Sequence, residues 1–230
     1  MTLSVGAAST VVFATDVGAR GGSERRLSNQ AAPVSDGGRA QRPRIRTLYP
    51  VFGAAPGARR CGDDPDGGDG HITCQTDNRS VKYYMDSHGS RRLEKSDRKA
   101  VRNAMRSYRR TDLSVRYDRN PDFTGSSETD VVYQEGSRHV SSSKDGVTWC
   151  DDAAGVHTFK CDQQYVRIRG NGVYRRPIAC HETGHAIGLV HGDNANPSIS
   201  KHAKKLGCMT TPSRYPKPRR LNRRNINYGF

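Results

Sequence analysis

Apolar and aromatic residues are scarce in this chain. Only 33% of its 230 residues are hydrophobic and 7% are aromatic, so any core has to be concentrated in part of the sequence, and residues 1 to 60 contribute little to it. No run of about 18 apolar residues exists, which leaves no candidate for a membrane-spanning helix. There is no C-x-x-C, which argues against a zinc ribbon, and no internal repeat. Negative charge is short as well. With 23 Asp and Glu against 38 Lys and Arg, the net charge is +15, a field that attracts nucleic acid, an anionic cell-wall polymer or an acidic substrate. The basic residues fall in groups at Arg91-Arg92, Arg98-Lys99, Arg109-Arg110, Arg175-Arg176, Lys204-Lys205 and Arg219 to Arg224. Because they are spread along the chain with little aromatic interleaving, a solvated basic surface is the favoured reading over a nucleic-acid site.

What is present begins with cysteine. Cys61, Cys74, Cys150, Cys161, Cys180 and Cys208 are even in number, which predicts a disulfide framework and an oxidising, extracellular compartment. Six cysteines allow 15 connectivities, and sequential pairing closes short loops. Residues 1–14 are uncharged and end on Val12-Phe13-Ala14 in the manner of a signal-peptidase site, although a basic leading region is missing. Residues 15–60, rich in Gly, Ala, Arg, Ser and Pro, read as a disordered or pro-segment. Between Cys61 and Cys74 stand Asp63, Asp64, Asp66 and Asp69. They offer Ca²⁺ oxygen ligands, but Gly68 falls where an alternating acidic loop needs its third ligand.

From Cys74 onward the chain has the periodicities of a folded domain, assigned to residues 61–230. Strands are predicted at Val81 to Met85, Leu113 to Tyr117, Thr129 to Gln134, Gly146 to Cys150 and Tyr165 to Arg169. A helix is predicted over Ser96 to Arg110, capped by Ser96, with Ala100, Val101, Ala104, Met105 and Tyr108 on one stripe. A second opens near Pro177, and Leu221 to Tyr228 closes the chain as a third.

The second helix carries the informative stretch, Cys180-His181-Glu182-Thr183-Gly184-His185-Ala186-Ile187-Gly188-Leu189-Val190-His191. Four residues apart on a helix, His181 and His185 project from one face and can take one metal ion, with Glu182 beside them to accept a proton from a metal-bound water. Gly188 can adopt positive φ and end the helix sharply, which would return His191 as a third nitrogen ligand. A Gly and a His falling at those two places by chance after H-E-x-x-H has a probability on the order of 1 in 300. His71, His88, His139, His157 and His202 lack ligand spacing.

H-E-x-x-H-x-x-G-x-x-H followed by a methionine turn resembles the metzincin zinc endopeptidases, the matching residues being His181, Glu182, His185, Gly188, His191 and Met209. The resemblance implies an α+β domain: a twisted five-stranded mixed sheet with a backing helix and an active-site helix. It also implies one catalytic Zn²⁺ on the three histidines, Glu182 as general base, and a protein or peptide substrate lying along the edge strand near Gly146 to Cys150. Gly192 follows the third histidine where matrixins have Ser and adamalysins Asp. Snapalysins, small secreted bacterial metzincins, have Asp in the place of His191, so the chain looks like a small bacterial enzyme nearer the matrixins. Astacins and serralysins place a Tyr where this chain has Thr211. Arg60-Cys61-Gly62-Asp63-Asp64-Pro65-Asp66 resembles the matrixin latency segment with one extra residue, an alternative to a disulfide at Cys61. If Met209 lies beneath the metal, Cys180 and Cys208 come within disulfide reach, the alternative being a buried free thiol at Cys180. The expectation is a secreted, monomeric zinc endopeptidase with an anionic polymer as a second partner. A cell-wall amidase-type metallohydrolase and a basic binding module with structural zinc stay open.

Overall fold

The computed structural model describes residues 44–49, 74–125, 127–155 and 159–230. They form a mixed α/β body with a six-stranded, mostly parallel sheet and few helices. Its strands are β1 (Gln75–Thr76), β2 (Ser80–Met85), β3 (Ser114–Tyr117), β4 (Val131–Glu135), β5 (Gly146–Ala153) and β6 (Lys160–Ile168). The helices are α1 (Lys95–Tyr108), α2 (Arg176–Ile187) and α3 (Arg220–Gly229).

β6, β4, β2 and β3 lie side by side, all parallel, and β1 runs parallel to the first residues of β6. β5 alone is antiparallel; it pairs with β6 and forms an edge. Parallel neighbours need long crossovers, and α1 supplies the one between β2 and β3. The predicted stripe of α1 is the face that packs: Ala100, Val101, Ala104, Met105 and Tyr108 join Val81, Tyr83 and Met85 of β2 and Val131 and Tyr133 of β4 in the main core. α2 lies within that core, and every residue from Ile178 to Ile187 is buried.

Several sequence expectations need correction. The sheet has six strands, since β1 is only two residues long and carries no pattern that a sequence reading could detect. β5 and β6 extend beyond the predicted spans because they pair with each other over almost their whole lengths, with irregular register near Cys150 to Ala153. The first helix starts at Lys95 after Glu94, and Ser96 does not cap it; the Ser96 hydroxyl donates to Asp97 at 3.1 Å. It also stops at Tyr108, where Thr111 takes the carbonyl with both its backbone N–H and its hydroxyl.

A further difference concerns residues 44–49, which the sequence places in the disordered or pro-segment. This short strap is hydrogen-bonded to the body by Arg46 to Asn196, by Val190 N–H to Thr47 O at 2.9 Å, and by Tyr49 N–H to Gly188 O at 2.8 Å. Thr47 is buried and donates its hydroxyl to Asn222 of α3, while Leu48 enters the core. The pattern was invisible in sequence because its partners are polar groups some 175 residues away.

Candidate metal centre

Helix α2 opens with Pro177 in its first turn, where a missing N–H costs nothing. It ends at Gly188 with φ 103°, whose N–H returns to the carbonyls of Gly184 and His185. A side chain at Gly188 would meet the backbone of Gln75 at 2.8 Å, so both the turn and the close approach of β1 require glycine. That reversal brings His191 back to the face bearing His181 and His185.

The three Nε2 atoms stand 3.1 Å (His181 to His185), 3.1 Å (His185 to His191) and 2.9 Å (His181 to His191) apart. His181 directs Nδ1 to the carbonyl of Cys208 at 2.8 Å, and His185 directs Nδ1 to the carbonyl of Leu189 at 2.9 Å. A carbonyl only accepts, so each Nδ1 carries the proton and each Nε2 presents a bare lone pair. Lone pairs converging at this distance repel unless a cation sits between them. Nitrogens about 2.0–2.1 Å from a tetrahedral ion are separated by roughly 3.3 Å, so this triad can hold a metal ion, and its donor chemistry suits Zn²⁺. Burial holds His181 down to about 3, with the neighbouring His191 adding to the effect and the Cys208 carbonyl opposing it. Among the described residues this is the group of ligating side chains placed to take a metal.

Glu182 is buried next to the triad, and the hydroxyl of Thr148 on β5 donates to its Oε2 at 2.8 Å. Burial pushes the Glu182 carboxyl up to about 7, against the downward pull of the Thr148 hydrogen bond and Lys144. β5 can approach this closely because Gly146 has no side chain; a Cβ there would meet Glu182 Oε1 at 2.9 Å. The loop leading into β5 is held by Arg169, which donates to the carbonyls of Lys144, Val140 and Ser141 at 2.7–2.8 Å. A cleft of about 360 Å³ exposes the histidines and Glu182, with Lys144 to Gly146 on one wall and Thr211 to Ser213 on the other. Thr211 Oγ1 is buried there without a hydrogen-bond partner among the described residues.

Beneath the site Met209 is fully buried, and its sulfur occupies the space that a side chain at Gly184 would take. Tyr108 donates to the Cys180 carbonyl at 2.9 Å, and Tyr133 bonds Thr183 at 2.6 Å, so both core tyrosines anchor α2. Cys180 and Cys208 are joined in a disulfide with Cα atoms 5.8 Å apart, and Cys150 and Cys161 in another at the same separation. These two of the sequential pairs are therefore present. Cys61, the acidic Asp63 to Asp69 loop, the latency-like segment, His71, His157 and residues 1–14 lie outside the described residues. His88, His139 and His202 are not part of the triad. Among the described residues no helix is long and apolar enough to cross a membrane.

Sequence reasoning put the edge strand near Gly146 to Cys150 beside the substrate but missed the approach of Gly146 and Thr148 to Glu182 and the hold of Arg169, just after β6, on the loop before β5. Gly184 was the available hint, since glycine inside a helix costs about 1 kcal/mol and usually marks close packing. No protein-family model and no curated protein matches the chain.

Proposed function

We propose that the chain is a secreted, zinc-dependent endopeptidase of the metzincin type. The observation that carries the reading is the convergence of three imidazole Nε2 atoms in an open cleft next to a buried carboxylate that is not itself one of the converging ligands. A structural metal site has no use for that carboxylate or for the opening. A bound zinc ion supplies Lewis acidity and a water whose pKa is lowered to about 7.

The chain's own residues do the rest. His181, His185 and His191 hold the ion, with two of the rings oriented by main-chain carbonyls. Glu182, poised near 7, accepts a proton at its carboxylate and passes it to the leaving amine, and Thr148 fixes that carboxylate in place. Among the described residues edge strand β5 has one side without a partner strand, so an extended peptide can pair with it as an added strand, passing Gly146 and Glu182. Thr211 stands where astacins and serralysins carry a tyrosine, and it lines the cleft, so any oxyanion stabilisation falls chiefly to the ion.

Metal analysis combined with cleavage of casein and a peptide panel, with and without chelator, tests this. One equivalent of zinc, chelator-sensitive cleavage and an inactive but metal-loaded Glu182→Gln variant are expected. Cleavage by that variant at the native rate would remove the mechanism, and activity confined to muropeptides would move the protein to the amidases.

A further inference from the structure

Folding gathers six basic residues that look scattered in sequence. A cleft of about 420 Å³ is lined by Arg110 just beyond α1, Lys205 on the turn leading to Met209, Lys217 and Arg219 ahead of α3, and Arg220 and Arg223 on it. The cleft shares no lining residue with the histidine cleft, and no carboxylate lines it. Three of the basic groups in the sequence thus meet at one concavity. A surface built only for solubility gains nothing from that arrangement, because like charges brought together repel and destabilise the fold. One further feature suits an anion. Helix α3 has no side-chain cap at Arg219, and its open first turn forms part of the cleft wall.

We propose that this cleft binds a linear phosphate polymer through several consecutive phosphate groups. Six cations exceed what one oxyanion of charge two can neutralise, and the volume falls within the range of about 300–1,000 Å³ typical of pockets for larger ligands. A polymer that carries bases is disfavoured. Tyr215 is the neighbouring aromatic, and Arg219 already covers its ring at 4.6 Å from the centroid, so no stacking platform is offered. The occupied cleft would also brace the floor of the metal site. Lys205 lies on the segment that ends at Met209, and Gly207 within it packs against Lys217 O and Arg219 N so closely that a Cβ would stand 2.5 Å from each.

The test is equilibrium binding of the full chain to short-chain polyphosphate, inorganic phosphate and a single-stranded oligonucleotide of matched charge, over a salt series. Polyphosphate should bind tightest and raise the unfolding temperature. Replacing Lys205 and Lys217 together by Gln should weaken it at least tenfold and flatten the log–log salt slope by about 1.5, since each contact contributes roughly 0.7–0.9. Arg223→Gln should weaken it as well. Exposed Arg92 and Arg102, replaced together by Gln, should leave binding unchanged. Equal weakening by both double variants would reduce the cleft to diffuse charge and overturn the proposal. So would tighter binding of the oligonucleotide, inorganic phosphate competing at polyphosphate concentrations, or no binding at all.

Discussion

The hydroxyl of Thr148 on edge strand β5 donates to the carboxylate of Glu182 on α2 at 2.8 Å, across a gap kept open by the missing side chain of Gly146. A strand that borders the cleft thereby sets the position of the residue assigned to proton transfer. Thr148→Val keeps the shape and removes the donor. A hydrogen bond to a charged group is worth about 1.5–3 kcal/mol, so kcat should fall roughly 10- to 100-fold with zinc content unchanged. The pH profile should shift upward on the acidic side, because Thr148 holds the Glu182 pKa down. Native turnover with an unshifted profile would show that Glu182 is positioned by something else.

Gly184→Ala places a methyl group against the sulfur of Met209 and within 2.9 Å of the Tyr108 hydroxyl. Alanine favours helix by about 1 kcal/mol, but overpacking a full core costs about 1–3 kcal/mol, and here both neighbours are buried and held. The expected outcome is a lower unfolding temperature and weaker zinc retention, read by thermal denaturation and chelator competition. A variant as stable as the parent would mean that Met209 moves freely.

The Cys180–Cys208 disulfide flanks the metal site on two sides: Cys180 precedes His181, and the Cys208 carbonyl receives the proton on His181 Nδ1. Replacing both cysteines by Ala should destabilise the chain by about 3–4 kcal/mol through the lost loop constraint. It should also loosen zinc on the order of tenfold, the usual cost of disturbing a partner behind a ligand. Metal affinity equal to that of the parent, measured in the folded variant, would separate the bridge from the site.

Acid should act on the metal-free protein through His181. Its pKa is about 3 in the fold against an ordinary 6.5, so between those limits the unfolded chain binds more protons and stability falls as pH drops. Above about 6.5 the effect is absent. Glu128, Asp130, Glu135 and Glu182, each pushed up to about 7 with burial as the first cause, act in the opposite direction, favouring the fold as pH falls toward the ordinary carboxylate range. The difference in unfolding temperature between the metal-free parent and His181→Asn isolates the histidine: the variant should gain relative stability steadily from pH 6.5 downward. Parallel curves would contradict its depressed pKa.

The metal triad was legible because its geometry is local. Four-residue spacing on a helix and one glycine with positive φ bring three rings together within eleven residues of chain. Helix α2 itself carries no amphipathic signal, since it is buried all round, and only the motif betrayed it. The stripe of α1 was legible for the opposite reason, having one face in the core. What stayed hidden depends on distant approach: the parallel strand order, Thr148 against Glu182, Arg169 on the loop before β5, and the basic cleft assembled from residues 110 to 223. Single residues in those places have no periodicity or spacing to read.

The strap at residues 44–49 sets a limit on maturation. Its backbone is bonded to Gly188 and Val190, the residues that turn the chain toward His191, and its Thr47 side chain ties that turn to α3. A product trimmed back to residue 61 would lose the outer wall of the turn that carries its own third ligand. On the proposed function, a cleavage that leaves the chain active would have to fall ahead of residue 44, and one beyond the strap would disarm it.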